Sequence, residues 1–184
     1  MIASHRTAMG WILRGLGRRE EALRSLAPAR EVLERLVSDH PDNALFLRQF
    51  AQCVAFHGTT EQDLGRRDEA FQTLELARAL YERLPDDPIN LYNLACVDSQ
   101  LVALMRSGPP GEAEPARGDA YADRAIAALR RAVAAGYHGV DSLRIDPDLA
   151  PLRSRDDFQR ILLDAAFPDD PFALPADQGR PGGR

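Results

Sequence analysis

Three observations predict an all-α chain built from stacked helix hairpins. The stretch Leu16-Gly17-Arg18-Arg19-Glu20-Glu21-Ala22-Leu23 returns 48 residues later as Leu64-Gly65-Arg66-Arg67-Asp68-Glu69-Ala70-Phe71. Between residues 16–36 and 64–84, twelve of twenty-one positions are identical, and self-similarity at such a period marks supersecondary units that stack. Ala22, Leu26, Ala29, Leu33 and Leu36, and then Ala70, Leu74, Ala77, Tyr81 and Leu84, run in steps of four, three, four and three. That spacing keeps one face of an α-helix. Gly17 and Gly65 stand just before these helices, where a left-handed residue can end the helix ahead. The pairs Glu20-Glu21 and Asp68-Glu69 fall in the first turn, where the helix dipole favours negative charge. Each copy therefore reads as helix, tight turn, helix.

The elements follow in order. Residues 3–16 predict a first helix with Met9, Ile12, Leu13 and Leu16 inward. No polar capping helix stands ahead of it, whereas the terminal units of a solenoid normally show a polar outer face. Either the chain is a piece of a longer protein, or its N-terminal hairpin meets something, a second copy included. Residues 18–37 predict the second helix. Pro28 removes one backbone hydrogen bond within it and crowds the preceding turn, so a kink is expected there and not a stop. Asp39-His40-Pro41-Asp42 connects to a third helix over about 43–64, with Leu47, Phe50, Val54 and Leu64 on its core side and Gly58-Thr59-Thr60 as its weak point. A fourth helix spans 67–84 and ends at Pro85-Asp86-Asp87-Pro88. The fifth covers about 88–106. Residues 107–115 then hold three prolines and two glycines, the mark of a loop, so 107–117 reads as an insertion at a turn that is tight elsewhere. The sixth helix, 118–135, ends at Gly136. Its Ala125, Ile126, Leu129 and Ala132 repeat the placing of Ala22, Leu23, Leu26 and Ala29. Short turns fill 139–152, punctuated by Pro147 and Pro151. Ser154-Arg155-Asp156-Asp157 opens a last helix to about Ala166, whose Phe158, Ile161 and Leu162 would cover the third hairpin. The domain thus runs 1–167, with hairpins about 3–37, 43–84 and 88–136 and a cap at 139–167. Pro, Asp, Gly and Arg dominate 168–184, which predicts a disordered tail.

Composition narrows the function classes. The 184 residues suit one domain or one short solenoid. The net charge of −5 argues against nucleic acid, which wants a basic stripe. No run of eighteen apolar residues exists, so no membrane span is expected, and Arg14, Arg18 and Arg19 interrupt any signal-peptide core. Cys53 and Cys96 fall on apolar sides of predicted helices and read as buried reduced thiols, which fits a cytoplasmic location. The sequence holds no HExxH, GxSxG, P-loop or kinase catalytic motif, so no enzyme is expected. None of His5, His40, His57 and His138 pairs with a second ligand at metal spacing. Asp146-Pro147-Asp148 lacks the glycine and distal glutamate of a calcium loop and reads as a turn and helix cap. Neither a metal nor a cofactor is expected.

The placing of small residues, turn glycines and alanines resembles the tetratricopeptide (TPR) family. The matching positions are Gly10, Gly17, Ala22, Leu26 and Ala29; then Ala51, Gly65, Ala70, Leu74 and Ala77; then Leu94, Ala95, Ala125, Leu129 and Ala132. The family unit is about 34 residues, while the first spacing here is 48. The step from Ala51 to Gly65 exceeds that from Gly10 to Gly17 by seven residues, about two helical turns, which predicts longer helices with the same face inward. The resemblance implies a right-handed superhelix of about three antiparallel hairpins with a capping helix. It also implies a non-catalytic module that binds a protein or peptide segment along a concave groove. On that register the groove-facing positions are Thr7, Trp11 and Arg14; Leu45, Arg48, Gln49 and Gln52; and Ile89, Tyr92, Asn93, Cys96 and Ser99. Trp11, Arg48 and Tyr92 are residue types common at binding hot spots. Arg48 could meet a carboxylate, and Gln52 or Asn93 a peptide backbone. Trp11 and Tyr92 fit equally as packing between neighbouring helices. The sequence has no lysine, so the family's carboxylate-clamp pattern is matched only in part. Tyr92-Asn93-Leu94-Ala95-Cys96 and Asp146-Pro147-Asp148-Leu149 also resemble the TPR-bearing C-terminal regions of some bacterial serine/threonine kinases. That would make the chain a regulatory or scaffolding part of a signalling enzyme.

Overall fold

The computed structural model describes residues 2–107 and 114–166. Among them are α1 (Ile2–Gly15), α2 (Arg19–Asp39), α3 (Ala44–Asp63), α4 (Arg67–Glu82), α5 (Pro88–Arg106), α6 (Pro115–Ala134), α7 (Val140–Ile145), a 3-10 turn (Pro147–Leu152) and α8 (Asp156–Ala166), with no strand. Each odd helix of the first six pairs with the even helix after it, and α1, α3 and α5 neighbour one another. The architecture is the all-α helical repeat that the sequence predicts.

Local chemistry explains the boundaries. Gly17, Gly65 and Gly136 have φ of 75°, 74° and 98°, the left-handed region that only glycine enters freely. Each closes the same motif. Arg18 N donates to Leu13 O and Gly17 N to Arg14 O; Arg66 N donates to Glu61 O and Gly65 N to Gln62 O; Tyr137 N donates to Ala132 O and Gly136 N to Val133 O. These paired bonds satisfy the carbonyls that a helix end leaves open. At the other ends, the Asn43 side chain accepts from the amides of Leu45 and Phe46, and Asp87 accepts from those of Ile89 and Asn90, as good N-caps do.

The repeat register carries the core. Ala22, Leu26 and Ala29, Ala70, Leu74 and Ala77, and Ala125, Leu129 and Ala132 are all wholly inaccessible. Small residues on the preceding helix let these side chains approach. A Cβ on Gly10 would stand 2.5 Å from Leu26 Cγ, and one on Gly58 would stand 2.9 Å from Leu74 Cγ. The structural counterpart of Gly10 is therefore Gly58, at the full repeat offset, and not Ala51. The expectation that Gly58-Thr59-Thr60 weakens α3 is corrected for the same reason. Gly58 is required by close packing, and the hydroxyls of Thr59 and Thr60 both donate to Phe56 O at 3.1 and 2.6 Å. The helix runs on unbroken, as α2 does through Pro28.

Two further expectations are revised. The inward face of α1 is Ala3, Thr7 and Gly10, whereas Met9, Ile12 and Leu16 are 50, 47 and 66% exposed. Close approach to Leu26 selects the small-residue face, and the larger side chains are left outside. The loop after α5 is shorter than 107–117, because Pro115 already stands in the first turn of α6. A proline is tolerated there, since its missing N–H would have no intrahelical acceptor. Glu114 N donates to Met105 O at 2.9 Å and closes the base of that loop. The remainder of the insertion and the tail predicted at 168–184 lie outside the described residues. The cap covers the third hairpin as expected: Phe158, Leu143, Leu149 and Leu152 are fully buried, and Arg155 reaches Asp123 of α6 at 2.7 Å.

Candidate functional site

The inner sides of α1, α3 and α5 form a wall, and the segment from Ser142 to Asp148 crosses its far end. Together they bound a hollow of about 670 Å³ that opens to one side. Six of the residues predicted to face a groove line it: Trp11 and Arg14 from α1, Gln49 and Gln52 from α3, and Tyr92 and Asn93 from α5. Trp11 is 56% exposed, so it is not a packing residue between neighbouring helices. Tyr92 is only 9% exposed and is held from two sides. Its ring stacks on Tyr137 at 4.6 Å, and its hydroxyl donates to Asp146 Oδ2 at 2.5 Å.

Four of the expected groove positions, Arg48, Ser99, Leu45 and Ile89, do not line the hollow. Arg48 pairs with Asp87, the N-cap of α5, within the chain. Ser99 is completely inaccessible and turns into the body of the fold. Of the wider register, Thr7 and Cys96 line the hollow, while Leu45 and Ile89 are exposed outside it.

Among the lining residues not foreseen as site residues, Gln100, Asp146 and Asp148 form a linked set. Gln100 Nε2 donates to Asp148 Oδ1 at 2.7 Å, and Arg14 Nη1 lies 3.5 Å from the same oxygen. Arg14 Nε also bonds Asp63 Oδ2 at 2.8 Å, so its guanidinium is shared. Asp146 Oδ1 accepts from Asp148 N at 2.9 Å, which is the capping role expected of this Asp-Pro-Asp run. The same run doubles as the lip of the hollow. The only sequence signal for that was the pairing of Tyr92–Cys96 with Asp146–Leu149 in one resemblance, and these stretches prove to touch.

Burial dominates the electrostatics here. It pushes the Asp148 carboxyl above the usual carboxylate range, although Arg14 pulls the other way. Burial, reinforced by Asp146 and Asp148, raises the Cys96 thiol, so it is no nucleophile at neutral pH. Burial and then the negative neighbours raise Tyr92 as well. Cys53 and Cys96 are both free and buried. On another side of α5, towards α4 and α6, Asp98 is 2% exposed. Burial lifts it to about 7, against the opposing charges of Arg78 and Arg124. Near α3's end, His57 Nδ1 stands 3.2 Å from Glu61, an arrangement within one helix.

What a hollow of this kind offers is shape and hydrogen bonds. Among the described residues no three of His, Cys, Asp and Glu gather as a metal site, and no helix is long and apolar enough to cross a membrane.

Residues 2–42 match the tetratricopeptide repeat family model. The match covers α1 and α2, the first hairpin. The second hairpin repeats its turn and core residues at the fixed offset, and the third repeats the core. The match and the all-α hairpin stack agree on a TPR-like helical repeat. No curated protein and no solved structure matches the chain.

Proposed function

We propose that this chain is a non-catalytic interaction module that takes a peptide or protein segment into the hollow lined by α1, α3 and α5. The observation that carries the reading is the exposed Trp11 at the wall of a half-open hollow of about 670 Å³. Trp is enriched among binding hot spots, which cluster in pockets. Gln49, Gln52 and Asn93 beside it supply donors and acceptors suited to a peptide backbone. The proposed partner is a protein, in the cytoplasm, and neither nucleic acid nor membrane; the net charge of −5 supports this. Affinity capture from native lysate with wild type and with Trp11→Ala plus Gln52→Ala tests it. The double variant should lose the captured protein while keeping its circular dichroism spectrum. Undiminished capture would overturn the groove assignment.

A second reading makes the chain a regulatory or scaffolding region of a bacterial signalling enzyme such as a serine/threonine kinase. It is favoured by the Tyr92–Asp146 contact, which joins the two stretches carrying that resemblance. An antibody that detects only a species of about the 20.3 kDa of this chain in native extract would count against it. Self-association through α1 is supported by the exposed stripe of Ile2, Met9, Ile12 and Leu16, and a monomer at all concentrations in sedimentation would refute it.

A further inference from the structure

We infer that the segment taken by the hollow presents a basic side chain, arginine or lysine, to the lip formed by Asp146 and Asp148. The inference rests on the groove reading above and adds the chemistry of the ligand.

The charges facing the hollow are few. Its lining holds one cation, Arg14, and two carboxylates, Asp146 and Asp148. Arg14 is not fully available to the lip, because its Nε bonds Asp63 at 2.8 Å while its Nη1 stands 3.5 Å from Asp148. Arg19 lies 3.9 Å from Asp63 and away from the lip. Arg153 sits behind the lip and donates to the Asp146 main-chain carbonyl at 2.7 Å, not to either carboxylate. Among the described residues the other contacts to the two carboxylates are neutral donors: the Tyr92 hydroxyl, the Cys96 thiol, the Asp148 amide and the Gln100 amide. Two acids thus face the hollow with part of one guanidinium between them. Burial pushes the Asp148 carboxyl up, and the Arg14 guanidinium pulls it back only in part.

The α1 wall complements this. Trp11 stands one turn before Arg14 on the same side of α1, and an exposed indole is the best aromatic partner for a cation. A basic side chain entering from the open side would have an aromatic face to pass over and carboxylates to end against. Guanidinium and ammonium groups both fit that pattern, and the forked guanidinium suits carboxylates better. An acidic segment would meet like charge at the lip, which disfavours it.

The chain has one tryptophan, so its emission reports on the hollow directly. The probes are short peptide pools, acetylated and amidated at their ends. They are randomised over neutral residues other than Trp and fixed at the centre as Arg, Lys, Gln or Glu. The Arg and Lys pools should bind about tenfold more tightly than the Gln pool, with the Glu pool weakest. Asp148→Asn should erase the Arg-over-Gln preference. Arg14→Gln should widen it, because it removes the competing cation. Opposite signs at two lip contacts separate charge selection from simple loosening, which would weaken binding in both variants. If the Gln pool binds as well as the Arg pool, or Asp148→Asn leaves the preference intact, the charge inference fails while the groove reading stands. If no pool moves the Trp11 emission, both fall.

Discussion

Replacing Gly58 by alanine sets two effects of known size against each other. In a helix interior alanine is favoured over glycine by about 0.8–1.0 kcal/mol. At this site, however, the new Cβ would lie 2.9 Å from Leu74 Cγ, 3.0 Å from Cδ2 and 3.2 Å from the Leu74 amide nitrogen. Leu74 is wholly inaccessible, so its side chain has no free space to retreat into, and the backbone contact cannot be relieved by a rotamer change. Overpacking of a full core costs about 1–3 kcal/mol. The contact with the Leu74 backbone places this site towards the upper end of that range, so the packing term wins and the net loss is up to about 2 kcal/mol. In a chain of this size that lowers the melting temperature by up to about 8 °C. Gly15 supplies the control. It is the last residue of α1, it is exposed, and a Cβ there meets nothing within 4 Å. Gly15→Ala should therefore leave the melting temperature unchanged or raise it. Thermal melts followed by far-ultraviolet circular dichroism read both variants. If Gly58→Ala melts at or above wild type, the close packing of α3 on α4 has been misjudged, and with it the register that aligns Gly10 with Gly58.

Two other outcomes follow from buried polar groups. Tyr92→Phe removes the donor to Asp146 and should cost about 1.5–3 kcal/mol, as for bonds to charged groups. Hydrogen exchange should then quicken across 140–166 but not in α1–α4; unchanged protection of the cap would refute the tether. Asp98, lifted by burial to about 7 from an unfolded value near 3.8, binds its proton more tightly in the folded state. Its contribution to stability therefore falls as pH rises from about 4 to about 7 and is fully lost above that. Asp98→Asn should remove this slope, so that the variant's advantage over wild type in urea midpoint grows between pH 5 and pH 7.5; an advantage that does not change with pH would count against it.

Much of the fold was legible because it is local. A left-handed glycine closing a helix, a carboxylate capping the next, and alanines at steps of four and three all act within a few residues of themselves. Gly17, Gly65, Asp87, Ala22 and Ala70 could therefore be read off the chain. The bounds of α5 were read without error, because Asp87-Pro88 and Ser107-Gly108 mark both its ends. The first helix was misread because it carries two usable stripes. Area favours burying Met9, Ile12 and Leu16, but the face chosen is Ala3, Thr7 and Gly10, since only small residues allow α1 to close on Leu26. The site divides in the same way. Trp11, Arg14, Gln49, Gln52, Tyr92 and Asn93, which the family resemblance placed on a groove, line the hollow. Ser99 was misplaced because it turns into the body of the fold, while Gln100, the next residue, reaches the hollow. Arg48 was diverted by Asp87, a partner 39 positions along the chain.

The sequence alone determined the glycine turns at Gly17, Gly65 and Gly136 and the core face of α2, α4 and α6, since a helix sets its own periodicity. Tertiary structure alone decided that Asp146 and Asp148 cross to Tyr92, Gln100 and Arg14 and rim the hollow. Those contacts join residues tens of positions apart, and no local preference of the backbone encodes which distant side chain a carboxylate will meet.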